Sequence, residues 1–254
     1  MLRQLLSELK KKESRLDKEK IKPWLNQIQD WRNEHGLNHD MLQNPSPSGK
    51  ILPQQVIQSL YKETKGKAYI TSDVGQHQMF AAQYYHFDKP RQWINSGGLG
   101  TMGFGLPAAM GVQLAFPKAT VACVTGEGSI QMCIQELSTC LQYDLPIKII
   151  NVNNSSLGMV KQWQDMQYAG RHSHSTYRDA LPDFSQMVAS FGHVGIKVTT
   201  LEELNSVIPD IFGDRYRNDL VFLDAHIDPD EHVYPMSIKG GALKDMVLGK
   251  EEPT

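Results

Sequence analysis

Residues 119–154 read ATVACVTGEGSIQMCIQELSTCLQYDLPIKIINVNN, and this stretch decides the fold. ATVACVT predicts a strand. SIQMCIQELSTCLQY predicts a helix with Ile130, Ile134, Leu137 and Leu141 along one face. IKIINVN predicts a second strand, apolar enough to be buried on both sides. One helix between two strands implies a crossover, so the strands run parallel. Gly126 and Gly128 bracket a lone carboxylate, Glu127, at the turn into the helix, and Asn153-Asn154 end the second strand. The 24 residues from Ser129 to Val152 between these corners match one helix plus one strand.

The same alternation extends both ways. VIQSLYKET, PDFSQMVASFG and LEELNSVIPDIF predict helices; KAYITSD, VGIKV and LVFLDAHI predict strands; the glycine-rich SGGLGTMGFGLPAAMGVQLAF predicts a loop entering a helix. The expected class is α/β, a mostly parallel doubly wound sheet with helices on both faces. Residues 1 to about 37 predict helix, with stripes of Leu2, Leu5, Leu6, Leu9 and of Trp24, Ile28, Trp31, and with Pro23 marking a second helix start. HGLNHDMLQNPSPSGKILP has the composition of a linker. The domain reading is a helical arm and linker over 1–50, a ligand-binding α/β domain over 51–235 and a tail over 236–254.

The chain has 254 residues, 40% of them hydrophobic, and a formal net charge of -2, so no field for nucleic acid or an anionic membrane is implied. No apolar run approaches the roughly 20 residues of a membrane span. The amino terminus lacks the apolar region of a secretory signal, and a cytoplasmic location is expected. The three cysteines, Cys123, Cys133 and Cys140, lack CxxC spacing and read as buried thiols. His172 and His174, in RHSH, lack helical metal spacing and read as a surface loop.

Ligands of such sheets bind at the carboxyl ends of the strands. Three loops open there: VGQHQMF, GEGSIQ and NSSLGMV. Gly126 and Gly128 permit close approach to a ligand, and the helix start at Ser129 favours an anion. Asn153 and Asn154 offer amide oxygens which, with the Glu127 carboxylate and a phosphate, suit Mg²⁺. By itself Glu127 reads first as an acid complementing a helix dipole.

The paired corners resemble the thiamine diphosphate motif, usually written GDG, then some two dozen residues, then NN. More of the chain is similar to the large catalytic subunit of acetolactate synthase (acetohydroxyacid synthase), carried by TSDVGQHQMFAAQYY, KPRQWINSGGLGTMGFGLPAAMG, SIQMCIQELSTCLQYDLP, NNSSLGMVKQWQDMQYAGRHSHS, LPDF and EHVYPM. The resemblance runs from about Trp24 to the carboxyl terminus. It implies that Gln76 and His77 approach the cofactor diphosphate. Gly100 and Met102 meet its aminopyrimidine, Met102 also supporting the bent cofactor. Glu127 and Asn154 by side chain, and Ser156 by its carbonyl, ligate Mg²⁺. Gly128 and Ser129 donate to phosphate, Met159 and Val160 line the cofactor, and Trp163 lines the substrate entrance. The family's usual acid in the glycine loop is Asp, where this chain has Glu127. Cys133 stands where the family often has Asn, and Ser155 where bacterial relatives often have Arg.

The implied reaction condenses two pyruvates, or pyruvate and 2-ketobutyrate, with loss of CO₂, in branched-chain amino acid biosynthesis. In the family a glutamate on a separate pyrimidine-binding domain activates the cofactor. That domain would precede residue 1, so no catalytic residue is expected in this chain. The expected partners are a separate pyrimidine-binding chain or a full-length large subunit, and a small regulatory subunit; FAD would enter only with a middle domain. The alternatives are a truncated remnant without catalysis, an interaction module that keeps the fold, or another thiamine diphosphate enzyme. A carboxyl edge lacking its partner domain is expected to make the chain self-associate.

Overall fold

The structure is a computed structural model that describes residues 1–12, 17–35, 37, 41–43, 46, 48–177, 179–237 and 240–249. Parts of the expected arm (13–16), of the linker (36, 38–40, 44, 45, 47) and of the tail (238, 239, 250–254) lie outside these residues. The chain divides into two compact units, Met1–Asn38 and His39–Thr254.

The first unit is helical, with α1 (Leu2–Lys12) and α2 (Lys18–His35). The leucine stripe of α1 is exposed, and Trp24 and Trp31 of α2 meet edge to face at 5.5 Å. Pro23 lies inside α2 and does not start it. The start is fixed five residues earlier, where the Asp17 side chain accepts the Glu19 N–H, so Pro23 is the sixth residue of the helix and forgoes the intrahelical bond to the Glu19 carbonyl.

In the second unit, α3 (Pro53–Thr64) leads to β1 (Tyr69–Ser72), α4 (Gln76–Tyr84), β2 (Trp93–Asn95), α5 (Gly105–Ala115), β3 (Val121–Thr125), α6 (Glu127–Ile130) and α7 (Glu136–Gln142). Then follow β4 (Lys148–Asn153), α8 (Gly158–Gln167), α9 (Phe184–Ser190), β5 (Val194–Val198), α10 (Leu201–Phe212) and β6 (Val221–His226). The sheet order is β2-β1-β3-β4-β6-β5, and every pairing is parallel. The chain winds from β1 to β2 on one side, then returns to place β3 on the other. The winding therefore reverses between β1 and β3, where a ligand crevice opens in sheets of this kind.

β3 and β4 are buried along their whole length, as strands covered on both faces must be. On one face Leu106 of α5, Leu137 and Cys140 of α7 and Phe184 of α9 pack over Val121, Cys123, Ile149 and Phe222. Phe184 and Phe222 stack at 5.9 Å. On the other, α4 packs on β1 and β3, α10 on β5, and both helices on α3. The three cysteines are buried free thiols.

Four local expectations change. The helix expected over 129–143 is broken: Met132, Cys133 and Glu136 each donate three residues back, to Ser129, Ile130 and Cys133 carbonyls. These tighter turns shift the helical face, so Ile130 and Leu137 are fully buried while Leu141 is 48% exposed. The stretch read as the loop VGQHQMF is mostly α4, and GMV, read as loop, begins α8. WIN, to which the sequence reading gives no element, forms the short strand β2.

Candidate functional site

The loops after β1, β3 and β4 lie side by side because their strands are neighbours. Asp73, fully buried, binds the first two corners together. One carboxylate oxygen accepts the Gly105 N–H at 2.8 Å and the other accepts the Thr125 hydroxyl at 2.7 Å. The glycines around Glu127 are required by what packs on them. A Cβ at Gly126 would sit 2.7 Å from Nδ1 of His77. A Cβ at Gly128 would collide with the Tyr177 hydroxyl and stand 3.0 Å from the Leu157 side chain. The two glycines thus let α4 and the loop before α8 close onto the same corner.

Between them Glu127 is 1% exposed. Its Oε1 accepts the Ser156 N–H at 2.6 Å, and the Asn154 Oδ1 accepts the same N–H at 3.0 Å. Burial pushes the Glu127 carboxyl up to about 7, the Asp224 carboxylate adds to the rise, and backbone N–H groups oppose it. Among the described residues no cationic side chain contributes. A buried carboxylate with amide and backbone oxygens beside it, and no positive partner, lacks only a hard cation. His77 is also buried, and burial draws its imidazole down to about 4, so it is neutral at pH 7. Its Nε2 has no hydrogen-bond partner among the described residues; in the Nε2–H tautomer it would have a donor to offer a phosphate oxygen. The donor set and the orphaned nitrogen fit a Mg²⁺–diphosphate group. Among the described residues no three His, Cys, Asp or Glu gather as a metal site, so such a cation would depend on Glu127 together with neutral oxygens.

Of the residues singled out in the sequence, Gln76, His77, Met102, Glu127, Gly128, Ser129, Asn154, Ser156, Met159 and Val160 line one cleft. Gly100 and Trp163 are not among its lining residues; Gly100 is exposed in the loop after β2, and Trp163 is half-buried on α8. The Ser129 N–H is already spent on the Gly126 carbonyl, and its hydroxyl lies 3.3 Å from the Val74 carbonyl. Asn153 turns away from the cleft. Its Nδ2 donates to Asp224 at 3.0 Å and its Oδ1 accepts the Ser155 N–H at 3.0 Å, which holds Ser155 at φ +57°. Asn153 therefore shapes the corner and does not face a ligand. The cleft volume, about 80 Å³, is well below the roughly 300–1,000 Å³ of pockets that enclose a drug-sized ligand. It is too small to enclose a ligand of that size. His172 and His174 lie outside the cleft, His172 paired with Asp165.

Three residues that shape the site were not anticipated: Asp73, Asp224 and Gln162. Asp73 and Asp224 are each a lone acid in or directly after an apolar strand, a visible signal. Gln162, fully buried on α8, carries no such mark.

Among the described residues no helix is long and apolar enough to cross a membrane. Residues 73–225 match the family model "Thiamine pyrophosphate enzyme, C-terminal TPP binding domain". The chain is similar to the acetolactate synthase large subunit of Buchnera aphidicola subsp. Schizaphis graminum, with 59% identity over 245 residues, covering 96% of this chain and 42% of the relative. It is similar to the acetolactate synthase isozyme 3 large subunit of Escherichia coli K12, with 55% identity over 254 residues, covering 100% of this chain and 43% of the relative. A third relative, the Haemophilus influenzae acetolactate synthase large subunit, shares 56% identity over 232 residues, 91% of this chain and 39% of the relative. The chain thus spans about two fifths of the length of these curated relatives. The matched region contains the corners after β3 and β4, and the chain belongs to the thiamine pyrophosphate enzyme family, through the family's C-terminal cofactor-binding domain.

Proposed function

We propose that this chain supplies the metal- and diphosphate-binding half of an acetolactate synthase active site. A pyrimidine-binding domain, supplied by another chain, completes it. The assembled site condenses two pyruvates, or pyruvate and 2-ketobutyrate, with loss of CO₂, and so serves branched-chain amino acid biosynthesis. The observation that carries the reading is the buried Glu127 carboxylate, which has no cationic partner and stands beside Asn154 and the orphaned Nε2 of His77.

Glu127 and Asn154 hold Mg²⁺ by side-chain oxygens, and the Ser156 carbonyl is the third protein ligand. Neutral His77, as its Nε2–H tautomer, donates to a diphosphate oxygen without contributing a charge. Met102, Met159 and Val160 form the apolar wall that keeps water from the reacting end. Bound thiamine diphosphate supplies a nucleophilic carbon and an electron sink for the departing CO₂. No proton transfer is assigned to a side chain of this chain; that role belongs to the partner domain. FAD, where present, belongs to a middle domain outside this chain, and a small regulatory subunit is a further partner.

The test is co-expression with the remainder of a relative's large subunit. Acetolactate formed from pyruvate, dependent on this chain and on Mg²⁺, is the expected result. A stable complex without activity would contradict the proposal and favour a remnant that keeps only the fold.

A further inference from the structure

Three side-chain amides stand in line behind the cleft. Gln162 meets the backbone of Val233 at both ends: its Nε2 donates to the Val233 carbonyl at 2.9 Å and its Oε1 accepts the Val233 N–H at 2.9 Å. That same Oε1 accepts from Nε2 of Gln76 at 2.8 Å. The Oε1 of Gln76 then accepts from Nδ2 of Asn154 at 2.9 Å. All three side chains are buried.

The order of donors and acceptors along this line is forced. An amide can turn over and exchange its oxygen and nitrogen at little local cost, but a backbone peptide cannot. The Val233 N–H and C=O therefore fix which end of Gln162 is oxygen. With that oxygen facing Gln76, Gln76 must present its nitrogen there and its oxygen to Asn154. Asn154 must then present its nitrogen to Gln76 and its oxygen to the Ser156 N–H, beside Glu127. A reversed amide at any step would bring two oxygens or two N–H groups together in a buried place.

We infer that Gln76 and Gln162 are positioning residues, an amide relay that transmits the polarity of the Val233 peptide to Asn154 and keeps its oxygen turned toward the cation. This deepens the reading of Asn154 as a Mg²⁺ ligand and rests on it. The relay engages both ends of the Gln76 amide and leaves one Nε2 hydrogen for the diphosphate. Gly158 at the start of α8 belongs to the same device, because a Cβ there would collide with the Gln76 Oε1 and the Asn154 Nδ2.

The test uses the full chain in four forms: wild type, Gln162→Met, Asn154→Asp and the double variant. Two readouts are taken: calorimetric titration with thiamine diphosphate and Mg²⁺, and exchange of the Asn154 side-chain amide protons by NMR without cofactor. Loss of a group that orients a metal ligand typically lowers affinity about 10- to 100-fold, and that drop is expected for Gln162→Met. Faster exchange of the Asn154 amide protons is expected with it, while the backbone spectrum keeps the native pattern. In the Asn154→Asp background the outcome should differ. A carboxylate has no nitrogen end to exclude, and the relay opposes it by presenting the Gln76 oxygen. There Gln162→Met should cost nothing or raise affinity. Equal losses in both backgrounds, or unchanged exchange of the Asn154 protons, would overturn the relay. Absence of Mg²⁺-dependent uptake by the wild type would overturn the ligand role of Asn154, while the exchange measurement would still report whether the relay exists.

Discussion

At the scale of single residues, the site trades stability for binding. Glu127 is held buried without a cation, an arrangement that penalises the empty protein and favours the loaded one. Glu127→Gln keeps an oxygen for the Ser156 N–H and removes the buried charge. It is expected to raise the Tm of the cofactor-free chain by roughly 2–4 °C while abolishing Mg²⁺-dependent binding. Thermal denaturation and calorimetry on the same preparation check both; a lower Tm would refute the trade. Gly158→Ala should do the reverse of a neutral surface change. Its methyl group must displace Gln76 or Asn154, so a loss of about 1–3 kcal/mol in stability is expected, measured by urea unfolding. Glu127 and Asn154 were legible in the sequence because glycines and strand ends mark them at a fixed spacing. Gln162 was not, because its role depends on Val233, 71 residues away, which only the folded chain brings to it. Asn153 was read as facing a ligand because nothing in the pair Asn-Asn distinguishes the two; its orientation is decided by Asp224 on β6.

At the scale of elements, the strands buried on both faces were readable. β3, β4 and β6 are β-branched or apolar runs flanked by turn residues, and local pattern suffices for them. What was missed depends on packing from afar. α4 carries Gln76 and His77 on its buried side because that side faces a polar site, which erases the apolar stripe that marks a helix. The break between α6 and α7 lies where the loop before α5 packs: a Cβ at Gly103 would stand 3.1 Å from the Met132 Cβ. β2 has three residues, too few to show an alternation. One element start carries a pH dependence. Lys148, at the head of β4, is buried, and its ammonium donates to the Tyr216 and Asp219 carbonyls at 2.6 and 2.5 Å. Burial draws it down to about 8 from 10.5, against the nearby Asp219 carboxylate. The folded value is below the unfolded one, so the fold resists protonation. The cost is present in full below about pH 8 and fades as pH rises to 10.5. Relative to Lys148→Met, the wild type should therefore gain about 1–3 kcal/mol across that window. The two lost hydrogen bonds offset the variant's stability without changing the slope. Urea unfolding of both proteins from pH 7 to 10.5 measures it, and parallel curves would refute it.

At the scale of the whole molecule, the carboxyl edge of the sheet carries exposed apolar side chains. Leu99 is 94% exposed, and Met132 and Val160 are about half exposed around the same loops. The chain on its own is expected to self-associate, with light scattering giving a mass that rises with concentration; a monomer at all concentrations would contradict this. On the proposed reading, the cleft takes the diphosphate end of the cofactor and another domain takes the remainder. The fold's part in that division is fixed by topology: parallel winding that reverses between β1 and β3 sets three corners side by side, and those corners carry His77, Glu127 and Asn154. The central claim is that this edge binds thiamine diphosphate through a cation held by Glu127. Calorimetric titration of thiamine diphosphate into wild type and Glu127→Ala, each with and without Mg²⁺, tests it directly. The account predicts binding by the wild type only when Mg²⁺ is present, and none by Glu127→Ala under either condition; binding that is indifferent to Mg²⁺ or to Glu127 would contradict it.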